Sequence, residues 1–252
     1  MSLTLTSIPG IPDIRAGDNL AGIIGDALAP LGVQDGDILT SAHKIFSKAE
    51  GQVVMLADIT PSPRAREIAT ELNKDPRKVE VILSESARVV KIFRHKHQNE
   101  GVMICQHRLG FISANAGVDE SNTGAEGTVI LLPKDPDASA RDLRDALTAR
   151  FNTHLGVVIT DTFGRPWRLG QVNVAIGLAG VPATVPEGGH KDAYGRELAV
   201  TEPAFADEIA AASGLVVGKA ALTPVVRVRG LDWNDANDTA ADILRTEREN
   251  VF

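Results

Sequence analysis

Residues Gly156 to Thr160 read Gly-Val-Val-Ile-Thr, an uncharged and largely apolar run, and Asp161 follows directly. Such a run marks a strand buried within a sheet. An acid at its carboxyl end falls where open mixed and parallel sheets place their ligands. Around it, helical and strand patterns alternate irregularly. Asp18 can cap a helix to about Ala29, ended by Pro30 and Gly32. A strand follows at Asp37–Ser41. Ser62-Pro63 and Asp75-Pro76 each set a capping side chain before a proline of the first turn, which predicts helices over 63–73 and 76–86. Arg88–Phe93, Val102–Gln106 and Thr128–Leu132 read as strands. A helix starts at Asp137 and reaches Phe151, another spans Thr201–Ala212, Pro224–Val228 is a strand, and Asp238–Glu249 closes the chain as a charged helix. No regular βαβ alternation appears, which predicts the α+β class, with mixed and antiparallel sheets and flanking helices.

The chain has 252 residues, long enough to bury a large core without staples, and one domain is expected over 1–252, or two closely packed subdomains within it. With 43% hydrophobic and 23% charged residues, disordered and fibrous classes are excluded. A net charge of −7 and only 4% aromatic residues argue against a nucleic-acid partner. Cys105 is the single cysteine, within the apolar run Val102-Met103-Ile104-Cys105, so no internal disulfide can form and a core thiol is expected. No signal peptide and no stretch of about 18 apolar residues is visible, so the expected location is cytoplasmic, off the membrane.

Four polar segments interrupt the apolar pattern where a core has no use for them. Ser7–Ile14 holds Pro9, Gly10 and Pro12, which stiffen a loop able to press backbone N–H groups against a ligand, a plain turn being the competing account. Ala42–Gly51 follows a strand and places Lys44 and Lys48 four apart, so a helical turn would aim both ammonium groups at phosphate oxygens or at solvent. Gly110–Asn122 ends a strand in small residues and leaves Asp119 and Asn122 exposed on short side chains. These are the oxygen ligands that Mg²⁺ or Mn²⁺ prefers, although an Asp/Asn turn bonding its own backbone fits as well. Val157–Arg168 carries Asp161 with Arg165 and Arg168 behind it. Two acids brought together repel unless a divalent cation or shared proton neutralises them, and the nearby bases point to bound phosphates. Neither common nucleotide-binding glycine loop occurs. His95-Lys96-His97 reads as a solvated basic loop in preference to a pair of metal ligands.

Taken together, Ser47–Gly51, Asn115–Asn122, Thr160–Arg165, Ala175–Gly180, Lys191–Leu198, Ala206–Ala210 and Val226–Gly230 resemble the gamma-glutamyl ligase family of coenzyme F-420 biosynthesis, in order and over nearly the whole chain. The resemblance implies a GTP-dependent, metal-requiring ligation of L-glutamate to the deazaflavin precursor F-420-0, in some members with further glutamates, by an intertwined α+β homodimer. By position it implies nucleotide contacts at Ile11, Pro12, Asp13, Ile14, His43, Lys44, Lys48 and Asn122. Asp119 and Asp161 become ligands of a first Mg²⁺ or Mn²⁺, Thr162 falls at a second, and K⁺ is admitted as a further ion. Lys48, Arg165 and Arg168 then supply fixed charge to the transferring phosphoryl group.

One departure stands out. Where archaeal members carry a glutamate for the second metal, this chain reads Val217-Gly218-Lys219-Ala220-Ala221. A protonated lysine cannot ligate a cation, so either the second metal finds another ligand or Lys219 takes its place against phosphate oxygens, in which case one metal suffices. Bacterial members fused to a flavin-binding reductase domain share this Gly-Lys, so such a domain, fused or separate, is the partner the resemblance adds. The competing functions are a hydrolase using the same phosphate site and a non-catalytic GTP-binding subunit.

Overall fold

The computed structural model describes residues 2–95, 97, 99–218 and 222–249. The apolar run lies in β8 (Leu155–Arg165), whose first six residues are all buried. It belongs to a five-stranded sheet in the order β1 (Thr4–Ser7), β10 (Val225–Arg229), β2 (Asp37–Ala42), β8 and β9 (Arg168–Ala179). β2 and β8 run parallel, from Asp37 opposite Leu155 to Ala42 opposite Thr160, while the other pairs are antiparallel. Alternation along the strands divides the apolar side chains between two faces. Leu39, Leu155, Val157 and Ile159 meet α1 (Leu20–Leu28) and α5 (Pro136–Phe151). Ile38, Val158 and Leu178 meet α6 (Phe205–Ser213).

A second cluster of elements has its own core. α3 (Pro63–Leu72) and α4 (Pro76–Ser84) pack with β4 (Ser86–Phe93), β5 (Val102–His107) and β6 (Ile112–Ala114), which form an antiparallel sheet. The β3 (Val53–Met55) and β7 (Thr128–Ile130) ribbon joins them. Ser62 accepts from the Ala65 N–H and Asp75 from the Arg77 N–H, each before a proline, as the sequence predicts. Cys105 lies in this core, where burial pushes its thiol up. The α+β class is borne out. No helix of the described residues is long and apolar enough to cross a membrane.

β9 is an edge strand, and two carboxylates cover its outward N–H groups. Asp207 of α6 accepts from Ala175 at 2.8 Å, and Asp137 of α5 accepts from Leu178 at 2.7 Å and Ala240 at 3.0 Å. Covering an edge in this way prevents stray strand pairing. It also corrects the helix start, for Asp135 caps α5 through Ala138 and frees Asp137 for the edge. Asn19, not Asp18, caps α1, accepting from Gly22 while Asp18 closes a turn with the Arg15 N–H. α6 begins only at Phe205, behind the extended backbone around Pro203. The terminal helix does not form. Ala240–Ile243 is a short 3₁₀ turn held by Thr239 and Asp242, with Ala240 buried and Ile243 partly covered.

Candidate active site

α2 (His43–Ala49) opens directly from the end of β2. Because Ala42 stands opposite Thr160 in the parallel pair, the next residues, His43 and Asp161, come together, with Nε2 3.4 Å from Oδ1. Asp161 therefore lies within β8, not at its end as the sequence reading has it. The strand continues because β9 folds back beside it. Between Ile159 and Thr160 the register with β9 slips from Gly177 to Ala175, so Ile176 is an extra residue. A bulge of this kind re-aims the side chains beside it. Asp161 Oδ1 accepts from the Thr162 N–H at 2.7 Å, while Oδ2 has no hydrogen bond among the described residues. The Thr162 hydroxyl donates to Asn173 Oδ1 at 3.0 Å, which leaves its lone pairs free.

Asp119 arrives from the other cluster, bridged to Ile130 beside β7. Before it the chain makes three consecutive left-handed residues, Asn115, Ala116 and Gly117, at φ of 52°, 51° and 69°. Holding Ala116 there costs energy, and such strain is typical of binding turns. A Cβ on Gly117 would meet the Leu132 side chain at 3.0 Å. The Asp119 carboxylate takes the Lys44 ammonium at 2.6 Å and the Ser121 N–H and hydroxyl at 2.7 and 2.9 Å. Burial pushes its carboxyl up, but Lys44 and Ser121 together outweigh that and hold it below the ordinary value. Asp119 is half-buried, a correction to the exposed turn expected, while Asn122 is exposed at φ 59°. Lys48 pairs with Asp13 at 2.6 Å. Ile11 and Ile14 turn their side chains into the core, so the loop between them offers its backbone and Asp13.

These residues share one cavity of about 1150 Å³, lined by Ile11 to Ile14, His43, Lys44, Lys48, Asp119, Asn122, Asp161 and Thr162. That volume exceeds the usual space for one small ligand. Two of the sequence-derived site residues are not brought into it. Arg165 and Arg168 flank the exposed Pro166-Trp167 turn of the β8–β9 hairpin and do not line the cavity, and Arg165 donates to the Leu169 carbonyl at 2.9 Å. Lys219 lies outside the described residues. Gln171 and Asn173, which the sequence reading missed, line the cavity from one face of β9. Their signal is the period of two with Val172 and Val174.

Among the described residues no group of three or more His, Cys, Asp or Glu is placed to hold a metal. The donors present are nevertheless hard oxygens: the free Asp161 Oδ2, the Thr162 hydroxyl and the Asp119 carboxylate. The Lys44 ammonium, held by Asp119 and by the Ser121 carbonyl and hydroxyl, shows that this corner favours a positive charge. Such a set fits a dication that takes its other ligands from water and phosphate.

A family model described as F420-0:Gamma-glutamyl ligase matches residues 10–230. The chain is 45% identical over its whole length to a coenzyme F420:L-glutamate ligase of Methanopyrus kandleri, of which it covers 98%. It is 40% identical to the protein so named in Methanothermobacter thermautotrophicus, with 100% of this chain and 99% of that one covered. To the one in Methanocaldococcus jannaschii it is 38% identical, covering 96% and 94%.

Proposed function

The chain belongs to the F420-0:gamma-glutamyl ligase family, and from that premise we propose that it forms the amide between the lactyl carboxylate of coenzyme F420-0 and the amine of L-glutamate, driven by GTP. A carboxylate cannot acylate an amine directly, since oxide would have to leave. The lactyl carboxylate first attacks the γ-phosphorus of GTP to give an acyl phosphate and GDP. The glutamate amine then attacks the acyl carbon, phosphate departs, and the ammonium proton passes to solvent. Further rounds on the new γ-carboxylate would extend the chain. Catalysis in such a scheme is positioning and charge neutralisation.

The observation that carries this reading is the meeting of Asp119 and Asp161 with Lys44 and Lys48 in one cavity large enough for a nucleotide and an acceptor. Asp119, Asp161 and Thr162 would hold Mg²⁺ or Mn²⁺, which when bound screens the phosphate oxygens. Lys48 then leaves exposed Asp13 for a phosphate, and Lys44 leaves Asp119. The Ser47–His43–Asp161 chain has the members of a hydrolytic triad, but Ser47 is fully buried and cannot reach a substrate, so no acyl-enzyme is invoked.

A homodimer belongs to the same reading. Leu169, Tyr194 and Val200 are each more than nine-tenths exposed, an apolar display that suits a contact between copies. Cavity-distant Arg165 and Arg168 sit on the same outlying hairpin as Leu169 and are assigned to the partner's cavity.

The test is mass spectrometry of the purified chain incubated with F420-0, GTP, Mn²⁺ and glutamate. A product heavier by one or more glutamyl groups, with equimolar GDP, is expected. Phosphate release without amide would instead make the chain a hydrolase, and tight GTP binding without turnover a non-catalytic subunit.

A further inference from the structure

We propose that His43 is a positioning residue, whose Nε2–H fixes Asp161 Oδ1 and so turns Oδ2 toward the cation. The inference rests on the reading of Asp161 as a metal ligand. It changes the role of His43, whose side chain is 2% exposed and too covered to grip a nucleotide with its ring.

Ser47 lies one turn further along α2, on the same face, with Oγ 3.1 Å from His43 Nδ1. Ser47 is itself fully buried. If its hydroxyl donates to Nδ1, the ring proton belongs on Nε2. That nitrogen is buried and has no aligned hydrogen-bond partner among the described residues, and Asp161 Oδ1 stands 3.4 Å away. A buried N–H left unmade is unfavourable. Hydrogen bonds in unloaded sites are often long and tighten when the ligand arrives, and here a small closure of the carboxylate suffices. Oδ1 then holds two donors, the Thr162 N–H and Nε2–H, and the other oxygen keeps its lone pairs for the metal. Metal-binding carboxylates commonly depend on such outer hydrogen bonds. The parallel register that sets Ala42 beside Thr160 makes the pairing a property of the sheet and not of a loose loop.

The experiment measures Mn²⁺ affinity of the full chain by electron paramagnetic resonance of the free ion, with melting temperature and metal-free GTP affinity recorded for each variant. His43→Leu is expected to weaken Mn²⁺ binding about tenfold to a hundredfold with GTP affinity unchanged, the range found for outer-shell partners. His43→Gln, which can return an N–H to the Nε2 position, is expected to recover most of that loss. Equal Mn²⁺ affinity in wild type and His43→Leu overturns the proposal, and so does equal impairment of the Leu and Gln variants, which would point to packing. Asp161→Asn separates the two readings. If it leaves Mn²⁺ binding intact, the metal assignment fails and this proposal with it; if it abolishes binding while His43→Leu binds Mn²⁺ as tightly as wild type, this proposal fails alone. Should His43→Leu not fold, nitrogen-15 spectra of the histidine-labelled wild type with Mg²⁺ decide, since a proton on Nδ1 instead of Nε2 overturns the assignment.

Discussion

Asp161 is where single-residue chemistry is most exposed to test. Its carboxylate is held on one oxygen and open on the other, and it is no part of the apolar core. Asp161→Asn is expected to abolish ligation while leaving the melting temperature within a few degrees of wild type; turnover within threefold and an unchanged metal requirement would remove it from the site. Lys48 gives a finer test. Its partner Asp13 is 71% exposed, and ion pairs with so exposed a member contribute little to stability. Lys48→Ala should therefore leave unfolding nearly unchanged yet weaken GTP binding by about 1.5–3 kcal/mol, the range of a charge-assisted hydrogen bond. Calorimetric titration reads the second effect and a urea melt the first.

At the scale of elements, the β8–β9 hairpin is the part on which the site depends, and Asp207 covers its edge. Asp207→Ala would strand the Ala175 N–H beside the bulge and should cost about 1–3 kcal/mol in a denaturant melt. Asp207→Asn keeps an acceptor and should cost much less near neutral pH. The two proteins should also differ in their response to acid. Burial pushes the Asp207 carboxyl above its ordinary 3.8, only partly offset by the Ala175 N–H, so the folded chain binds this proton more readily than the unfolded one. The stability this confers is fully present below 3.8 and is lost as pH rises through the raised folded value. Wild type should thus gain on Asp207→Asn as pH falls through that window, and parallel stability curves would refute the buried charge. The sequence announces some of these elements and conceals others. Ser62-Pro63 and Asp75-Pro76 declare their helices through local capping, a signal complete within four residues. The pair Asp135-Pro136 carries the same signal, yet Asp137 draws attention away from it. Gly164, Pro166 and Gly170 disguise the hairpin as a loop, because what extends the strands is pairing between β8 and β9, not propensity. The site follows the same division. Asp119 and Asp161 are visible as short acids among small residues, whereas the His43–Asp161 approach depends on a register that spans 118 residues of separation and cannot be read locally.

For the whole molecule, the proposed pairing of copies makes a prediction that monomer geometry alone does not. Arg165 and Arg168 leave their own cavity on an exposed hairpin. If each hairpin serves the other copy, a chain with both arginines changed to alanine and a chain with Asp161→Asn, each inactive alone, should recover about a quarter of wild-type turnover when refolded together in equal amounts. Half the dimers are then mixed and each has one working cavity. No recovery would return the arginines to their own chain, and full activity of the arginine variant would remove them from the reaction. The sheet order has a consequence of another kind, in the timing of folding during synthesis. β10, made from Val225–Arg229, lies between β1 and β2 and is the sole strand pairing with β1 among the described residues. The loop Ile11–Ile14 follows β1 and lines the cavity. While the ribosome has delivered only the first two hundred residues, β1 has no strand to pair with and the wall that follows it lacks that anchor. Closing so long a loop is slow, so under the proposed reading a nascent chain should be unable to retain GTP until β10 has emerged.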